Sequence, residues 1–589
     1  MLDNAAMALV RARVLLPVLS LPLVFAACSD DGSSEASAGS QATLTTETGG
    51  TLTTSESGTM SNSTTGDGDG DPATTGDGDG DPTTTTTTTG DGDGDPSTTG
   101  DGDGDDNVKF DVGPVETDIP PAGDQCKVND EGDAGGPCEM SAPADAFAPV
   151  LQWSFTPDDG NHQTLTTPLV ANLTDDNDDG EIDLCDIPDV VLLAFPTAPN
   201  PGNLYILDGE TGELHFKIEQ PVNWRTTPAI GDVDDDGIPE ILVQSNSNTI
   251  YCFEHDGQLK WTSQSVAAAP HSNTGPAIAL ADIDTDGDVE IIFENIVLDH
   301  MGNVLWSTNT NNQWSPATVV ADLDGDDMME IIHPTAAYRF DGSLYYNSGQ
   351  LGAGFTAVAN MDDDDDPEVI VTSSSGIAVL EHDGTVKFSG LQPVGGFNYA
   401  RPPAVHDMNG DDVADFAVGA GSRFAVYDQM GGVIWDVAVD DSSDSAGSTA
   451  FDFLGDNGAE AMYGDENYIW AFEPGGISVV QQERSSATVT EYPVVVDVDN
   501  DGSAEIVVGS SHPLVYSGDP NPYPTVQVFQ DADDRWIQAR RIWNQHTYHV
   551  TNVREDGTIP QFETKHWLEL NTFRTNAQIE NGGICDPVG

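Results

Sequence analysis

The apolar residues between Leu151 and about Trp543 fall into short runs that alternate with turn residues, and they show no helical periodicity. One unit recurs along this stretch: a short apolar strand often preceded by Pro, a loop rich in Asp and Gly, a second apolar strand, and a hairpin. Four strands in each unit predict an all-β domain over residues 151–540 in which every unit forms one blade. The hairpins are IYCFEHDGQLKW (250–261), IVLDHMGNVLW (296–306), YRFDGSLYY (338–346), IAVLEHDGTVKF (377–388) and FAVYDQMGGVIW (424–435).

The Asp loops are the most regular part of the unit, and they begin 38 to 50 residues apart. This period is typical of propeller blades or of a β-solenoid, and the four-stranded content favours the propeller. An eighth unit (171–193) comes first, and the strand VLQWSF (150–155) is expected to complete the last blade and close the ring. The loop copies are GDVDDDGIPEILV (231–243), ADIDTDGDVEIIF (281–293), ADLDGDDMMEIIH (321–333), ANMDDDDDPEVIV (359–371), HDMNGDDVADFAV (406–418), VDVDNDGSAEIVV (496–508) and a weaker copy, FDFLGDNGAEAMY (451–463).

The charge of the chain changes the interpretation of these loops. With 101 acidic and 18 basic side chains, the formal net charge is −83, which argues against nucleic acid or an anionic membrane surface as a partner. Acidic groups at loop positions one, three, five and nine repel one another unless a cation lies between them. Oxygen ligands at this spacing suit Ca²⁺, whereas a solvated Asp/Gly turn would explain one copy but not its repetition.

The predicted Ca²⁺ ligands follow from this alignment. In the first unit they occupy positions one, three, five, nine and twelve of a loop similar to an EF-hand loop but without its helices, and Asp189 takes the place of the later Glu. In the weaker copy, Leu454 stands at position three beside Asp452, Asp456 and Glu460, so we expect that site to be empty or very weak. The ligands are Asp175, Asn177, Asp179, Asp183 and Asp186; Asp232, Asp234, Asp236 and Glu240; Asp282, Asp284, Asp286 and Glu290; Asp322, Asp324, Asp326 and Glu330; Asn360, Asp362, Asp364 and Glu368; Asp407, Asn409, Asp411 and Asp415; and Asp497, Asp499, Asp501 and Glu505.

Repeated DxDxDGxxEI loops between short strands resemble the FG-GAP/VCBS repeats of integrin α-subunit propellers and many bacterial surface proteins. The resemblance covers roughly residues 150–530, although the Phe-Gly and Gly-Ala-Pro signatures are mostly missing, with fragments such as GPA (275–277). It implies a seven-bladed propeller with Ca²⁺ in the blade loops. The eight units of this chain favour eight blades, with seven as the alternative.

The amino terminus predicts export. Arg11 and Arg13 precede an apolar run (14–27) that ends in two alanines before Cys28, which resembles a bacterial lipoprotein signal over residues 1–28. We therefore expect lipid attachment at Cys28 and a location at the bacterial outer membrane or cell surface, in contact with the membrane through the lipid alone. An ordinary signal peptide is the alternative. Thr/Ser runs and GDGDGD cassettes make residues 29–123 a predicted disordered linker.

Five cysteines remain after Cys28, in a compartment that permits disulfides. In the lead-in segment 124–150, Cys126 and Cys138 flank a short Gly-rich loop and are the predicted disulfide, and the odd count leaves at least one thiol free or paired elsewhere. Cys252 lies in an apolar alternating run and is interpreted as a buried small hydrophobic residue.

The last segment, 541–589, breaks the repeat and is expected to cap the propeller. Its His546 and His549 could be metal ligands, but no third and fourth ligand is apparent, so packing beside Trp543 and Tyr548 is the favoured interpretation.

These features favour a surface-tethered, Ca²⁺-stabilised propeller that binds a protein or glycan ligand. The main alternative is a propeller enzyme, either a quinoprotein-like dehydrogenase or a polysaccharide-degrading enzyme, because hairpins such as LDGETGELHF (207–216) resemble quinoprotein repeats. No nucleophile elbow, HExxH or CxxCH motif occurs, which disfavours an enzyme. A third alternative is an outer-membrane assembly scaffold.

Overall fold

The structure is a computed structural model that describes residues 138–267, 275–309, 315–362, 364–396, 401–441, 446–511, 523–580 and 582–585. The predicted signal segment, the lipidation site Cys28, the predicted linker 29–123 and Cys126 lie outside the described residues. Among the residues described, no helix combines the length and the apolar character needed to cross a bilayer.

Eight four-stranded antiparallel sheets form the domain, so the predicted eight-bladed all-β propeller is confirmed, and the seven blades implied by the family resemblance are not. From the innermost strand outward, the strands of blades 1 to 4 are Leu169–Ala171, Asp189–Ala194, Gly202–Asp208 and Leu214–Val222; Ala229–Gly231, Glu240–Gln244, Ile250–Phe253 and Leu259–Thr262; Ile278–Ala281, Glu290–Phe293, Ile296–Leu298 and Val304–Ser307; and Val319–Ala321, Glu330–His333, Ala336–Tyr338 and Leu344–Asn347. Those of blades 5 to 7 are Gly354–Ala359, Glu368–Ser373, Gly376–Glu381 and Val386–Leu391; Ala404–His406, Asp415–Ala420, Arg423–Tyr427 and Val433–Ala438; and Ser448–Phe451, Glu460–Gly464, Tyr468–Glu473 and Ile477–Glu483.

Blade 8 joins the two ends of the propeller. Its inner strands are Val494–Val496, Glu505–Gly509 and Val526–Asp531, and its outermost strand is Pro149–Phe155 from the beginning of the domain. The pairing runs antiparallel from Pro149 opposite Asp531 to Phe155 opposite Val526. The predicted closure of the ring by residues 150–155 is therefore confirmed, and it covers the edge that the third strand would otherwise expose.

The burial of the strands explains their composition. The first and second strands of every blade are buried at all positions, because neighbouring blades cover both faces, so their sequences are nearly continuous apolar runs. The outermost strands have exposed positions. The glycine of the last hairpin, at positive φ, packs on an aromatic ring of the preceding blade: a Cβ on Gly302 would lie 2.8 Å from the Trp261 ring, and one on Gly342 would lie 2.9 Å from Trp306. The Trp residues at the hairpin ends are thus packing residues.

The chain after blade 8 lies against the innermost strands. Trp543 and Val170 exchange backbone hydrogen bonds of 2.8 and 3.0 Å, and Phe573 and Val405 exchange two more of 2.9 and 3.0 Å. This segment has little regular structure: a 3-10 turn at Val550–Asn552, a short helix at His566–Glu569, and the strand pair Ile579–Glu580 and Gly583–Ile584. Its buried aromatic and apolar side chains belong to the same hydrophobic cores as the blades.

The cysteines correct one prediction. Cys138 forms a disulfide with Cys585, 447 residues away, so the predicted bridge between Cys126 and Cys138 is wrong. The fold brings the start of the described chain beside its end, a proximity that sequence spacing does not reveal. Cys185 is also disulfide-bonded. Cys252 is a buried free thiol, which confirms its interpretation as a small hydrophobic residue.

Candidate metal centre

The Asp loops connect the first and second strands of the blades, and their first residue folds each loop back on itself. In blade 2, Asp232 accepts hydrogen bonds from the N–H groups of Asp236, at 3.2 Å, and Gly237, at 2.9 Å. Outside blade 5, loop positions four and six are both left-handed, as at Asp235 (φ 60°) and Gly237 (φ 87°), and one of the two is Gly. The N–H of the residue at position six donates an equivalent hydrogen bond in five other loops, where the acceptors are Asp282, Asp322, Asp407, Asp452 and Asp497.

The carboxylate at position nine begins the buried second strand and turns back into the loop. Glu240 Oε2 accepts the N–H of Val233 at 3.0 Å, which leaves Oε1 for the loop interior. In blade 1, Asp189 accepts the N–H of Leu173 at 2.9 Å, which confirms that it takes the place of Glu240. The N–H at loop position two donates the same hydrogen bond to Glu290, Glu330, Glu368, Glu460 and Glu505 in their own loops.

Some of these buried carboxylate oxygens have no hydrogen-bond partner among the residues described. In blade 3, Asp282, Asp284 and Glu290 each offer an oxygen within 4.8 Å of the others, and the Oδ1 atoms of Asp282 and Asp284 are unpartnered. Both oxygens of Asp415 in blade 6 and Oε1 of Glu505 in blade 8 are also unpartnered. Leaving such groups buried and unpaired is costly. Their hard oxygens suit a divalent cation such as Ca²⁺.

Burial also shifts the acidity of these groups. Loss of hydration raises the pKa of Glu290, Glu330 and Asp415 to about 8. In blades 2 and 5 the pKa of Glu240 and of Glu368 rises to about 7, because burial raises it while a nearby lysine opposes the rise. A carboxylate that is costly to ionise by itself is stabilised in its ionised form by a bound cation.

A bulge in the outermost strand leaves one extra residue at the same place in each blade. In every blade the pairing between the third and fourth strands skips one residue of the outermost strand at the same place; in blade 2, Trp261 pairs with Cys252 and Leu259 with Phe253, which leaves Lys260 as the extra residue. The extra residues in blades 1 to 7 are His215, Lys260, Leu305, Tyr345, Lys387, Ile434 and Val479, and Gln152 occupies this place in blade 8.

Cations from this region reach three of the loops. Lys260 Nζ lies 2.8 Å from Glu240 Oε1 and contacts Asp234, and Lys387 Nζ lies 2.8 Å from Glu368 Oε1 and contacts Asp362. In blade 4, Arg339 comes from the adjacent turn. The loop motif alone does not indicate these cations. The lysines in the hairpins DGQLKW and DGTVKF were the features of the sequence that could have indicated them.

A family model for the FG-GAP-like repeat matches residues 232–293, which contain the loops of blades 2 and 3. This match is confined to those two blades. Among solved structures, the fold is similar to that of the V. cholerae biofilm matrix protein Bap1, with 21% identity and a TM-score of 0.67 over 75% of this chain and 100% of that chain. This similarity shows the fold.

Two other solved structures are less similar. A Bacillus licheniformis rhamnogalacturonan lyase has 15% identity and a TM-score of 0.43, over 67% of this chain and 74% of that chain. A europium-containing methanol dehydrogenase has 11% identity and a TM-score of 0.44, over 62% and 85%. No curated protein sequence matches this chain.

The predicted ligands at positions one, three and nine come together in blades 2, 3 and 4. Each of these trios has oxygens within 4.8 Å of one another: Asp232, Asp234 and Glu240; Asp282, Asp284 and Glu290; and Asp322, Asp324 and Glu330. The position-five residues Asp236, Asp286 and Asp326 are exposed.

The other loops hold the remaining predicted ligands in varied surroundings. In blade 5 the Asn360 amide donates to the Asp364 carbonyl. In blade 6 Asp407 accepts the N–H groups of Asn409 and Asp411. In blade 8 Asp497 and Asp499 both accept the N–H of Asp501, and Asp499 also receives the Gln152 amide at 2.6 Å.

The first and seventh loops differ from the rest. In blade 1, both oxygens of Asp186 accept N–H groups of its own loop, and Asp175 accepts those of Asp179 and Gly180. A metal-compatible trio of Asp176, Asp208 and His215, which the alignment of loop positions did not include, lies beside that loop. In blade 7, Leu454 at position three is buried and supplies no side-chain oxygen.

Among the residues described, the chain after blade 8 contacts the loops of seven blades, including those of blade 1, through Arg541 and the Leu184 carbonyl, and of blade 2, through the Gly557 carbonyl and the N–H of Asp232. Lys565 Nζ lies 3.2 Å from Asp322 Oδ2, and Gln538 donates to Asp497 at 2.8 Å. Gln561, Asn571 and Gln578 donate to backbone carbonyls of the loops in blades 3, 5 and 7. Its histidines pack within the core, as the favoured interpretation has it: His546 stacks on Phe355, and burial lowers its pKa to about 3, while His549 lies 2.6 Å from Glu563.

Proposed function

We propose that this chain is a Ca²⁺-binding propeller that acts as an envelope-anchored binding module for a protein or glycan ligand. The observation that carries the metal assignment is the set of buried, unpartnered carboxylate oxygens in the loops of blades 3, 6 and 8. An oxygen-rich site with several carboxylates favours Ca²⁺ over Mg²⁺, whose small octahedral shell is harder to satisfy. The FG-GAP-like repeats support this assignment.

Equilibrium dialysis of the full chain against Ca²⁺ and Mg²⁺ tests the metal assignment. We expect retention of Ca²⁺ at several sites and weaker retention of Mg²⁺. A chain that retains neither ion above a chelator-treated control would overturn it.

The binding role is supported by the architecture. A propeller with rigid blades presents many loops, and the fold is similar to that of a biofilm matrix protein. The full chain should be screened against glycan arrays and purified surface proteins, with Ca²⁺ and with chelator. Ca²⁺-dependent retention of one ligand class is the expected result, and equal, featureless retention under both conditions would contradict it.

The proposed anchor is the lipidated Cys28. Cys28→Ala should release the chain from the membrane fraction or leave its signal segment uncleaved, whereas Cys252→Ala, at the buried free thiol, should leave anchoring unchanged. A Cys28→Ala protein that stays membrane-bound and is cleaved at the same place would overturn the anchor.

A further inference from the structure

The residue at the outer-strand bulge differs in charge between blades that share the loop pattern. It is a lysine in blades 2 and 5, Lys260 and Lys387, and an aliphatic residue in blades 3 and 6, Leu305 and Ile434. The pairing register is the same in all four blades, so these side chains start from equivalent backbone positions. The difference therefore lies in the side chain alone.

In blades 2 and 5, the lysine ammonium is held by three carboxylates. Lys260 contacts Asp234 at position three, lies 2.8 Å from Glu240 at position nine, and lies 3.3 Å from Glu254 of the hairpin. Lys387 makes the same three contacts in blade 5, with Asp362, Glu368 and Glu381. A divalent ion bound by the same oxygens would lie within a few Å of the ammonium and be repelled by it.

Blade 4 reaches the same result with other residues. Arg339 lies 2.7 Å from Asp324, 3.7 Å from Asp326 and 3.5 Å from Glu330. Lys565 of the C-terminal segment lies 3.2 Å from Asp322. All four acidic loop positions of this blade are therefore paired with a side-chain cation.

Blades 3, 6 and 8 have no charged residue at the bulge. Their bulge residues are Leu305, Ile434 and Gln152. These same blades contain the unpartnered oxygens of Asp282, Asp415 and Glu505, whose residues are 2%, 0% and 0% exposed.

Blades 4 and 7 also have an uncharged bulge residue, Tyr345 and Val479. In blade 4 Arg339 supplies the cation instead, and in blade 7 Leu454 supplies no oxygen at position three. Unpartnered loop carboxylates thus occur in blades 3, 6 and 8, where no cation replaces the bulge lysine.

We propose that Lys260, Lys387 and Arg339 act as tethered cations that take the place of a divalent ion in blades 2, 5 and 4, so that strong Ca²⁺ sites are confined to blades 3, 6 and 8. The inference rests on the proposed Ca²⁺ binding. It divides loops of one sequence pattern into loops that need an ion from solution and loops that supply their own cation.

Isothermal titration of the full chain with Ca²⁺ tests the division. Lys260→Met and Lys387→Met should each raise the stoichiometry by one ion per chain, and the double variant should raise it by two. Lys217→Met is the matched control, because Lys217 pairs with Asp159 and Glu219 outside the loops, and its stoichiometry should equal that of the wild type.

The reverse substitution keeps the test independent of lost ion pairs. Leu305→Lys should lower the stoichiometry by one ion. Its control, Ile477→Lys, adds the same charge at a side chain that is 62% exposed on the outer strand of blade 7, and should lower it by none. If the wild type binds Ca²⁺ and every variant binds the same number of ions as the wild type, the tethered-cation inference alone is overturned. A wild-type chain that binds no Ca²⁺ would overturn the proposed metal binding, and this inference with it.

Discussion

Blades 2 and 3 are consecutive copies of one unit with almost the same loop, yet their carboxylates have different surroundings. Glu240 and Glu290 are anchored by the same backbone hydrogen bond and are both buried. Lys260 then neutralises the first, while the second faces Asp282 and Asp284, each with an unpartnered oxygen. The recurring ligand motif thus does not determine how the charge of a loop is balanced, because a residue on the outermost strand decides whether a cation lies beside the carboxylates.

Removing Ca²⁺ should have the largest effect. A site filled at one hundred times its dissociation constant contributes about 2.7 kcal/mol, so three such sites would contribute roughly 8 kcal/mol, within the ~5–15 kcal/mol of a typical domain. We expect a large drop in melting temperature with a chelator in scanning calorimetry, reversed better by Ca²⁺ than by Mg²⁺. Superimposable melting curves with chelator and with millimolar Ca²⁺ would contradict the metal assignment and favour the interpretation of the loops as solvated turns.

The pH dependence of the chelated protein should be the next largest effect. Burial raises the pKa of Glu290 and Asp415 to about 8, above the ~4 of an unfolded carboxyl group. Between about pH 4 and 8 the folded state holds protons that the unfolded state has released, so the free energy of unfolding falls as pH rises. Each group contributes at most about 1.4 kcal/mol of this fall per pH unit. Urea unfolding of chelated protein across this window should show the fall, and saturating Ca²⁺ should reduce or reverse it. A chelated protein that gains stability with rising pH would contradict the assignment of these groups.

Loss of one ligand should change the Ca²⁺-dependent stability differently in blades 2 and 3. Asp284→Asn in blade 3 should remove most of one site's Ca²⁺-dependent stabilisation, on the order of 2 kcal/mol. Asp234→Asn in blade 2 should change that quantity little and lose only a partly exposed ion pair with Lys260, worth about 0–1 kcal/mol. Unfolding free energies measured with and without Ca²⁺ give both numbers. Equal Ca²⁺-dependent losses in the two variants would remove the distinction between the blades.

The smallest effect is expected in blade 7. Asp456→Ala removes a position-five carboxylate from a loop whose position three is Leu454, so stability should change by less than about 0.5 kcal/mol with or without Ca²⁺. A clear Ca²⁺-dependent loss in thermal melts would show that this loop binds an ion despite its leucine.

The repeat period and the hairpin signals were sufficient to predict eight blades, their strands and the closure by residues 150–155, because local patterning determines these features. The trio at positions one, three and nine was also predictable from spacing. Lys260 was missed as a loop partner because it follows Glu240 by 20 residues and reaches it only through a bulge in strand pairing. The Cys138–Cys585 bond was missed because it depends on the path of the whole ring.

That bond has a mechanical consequence. Strand Pro149–Phe155 completes blade 8, and a pull from the N-terminal side would by itself peel it away one hydrogen bond at a time. Among the described residues, Cys138 precedes this strand, and its covalent link to Cys585 passes load to the C-terminal segment, which is hydrogen-bonded to the inner strands of several blades. A chain held by its amino terminus under flow would therefore bear load through many bonds in parallel, and the seam of the ring would be shielded from unzipping.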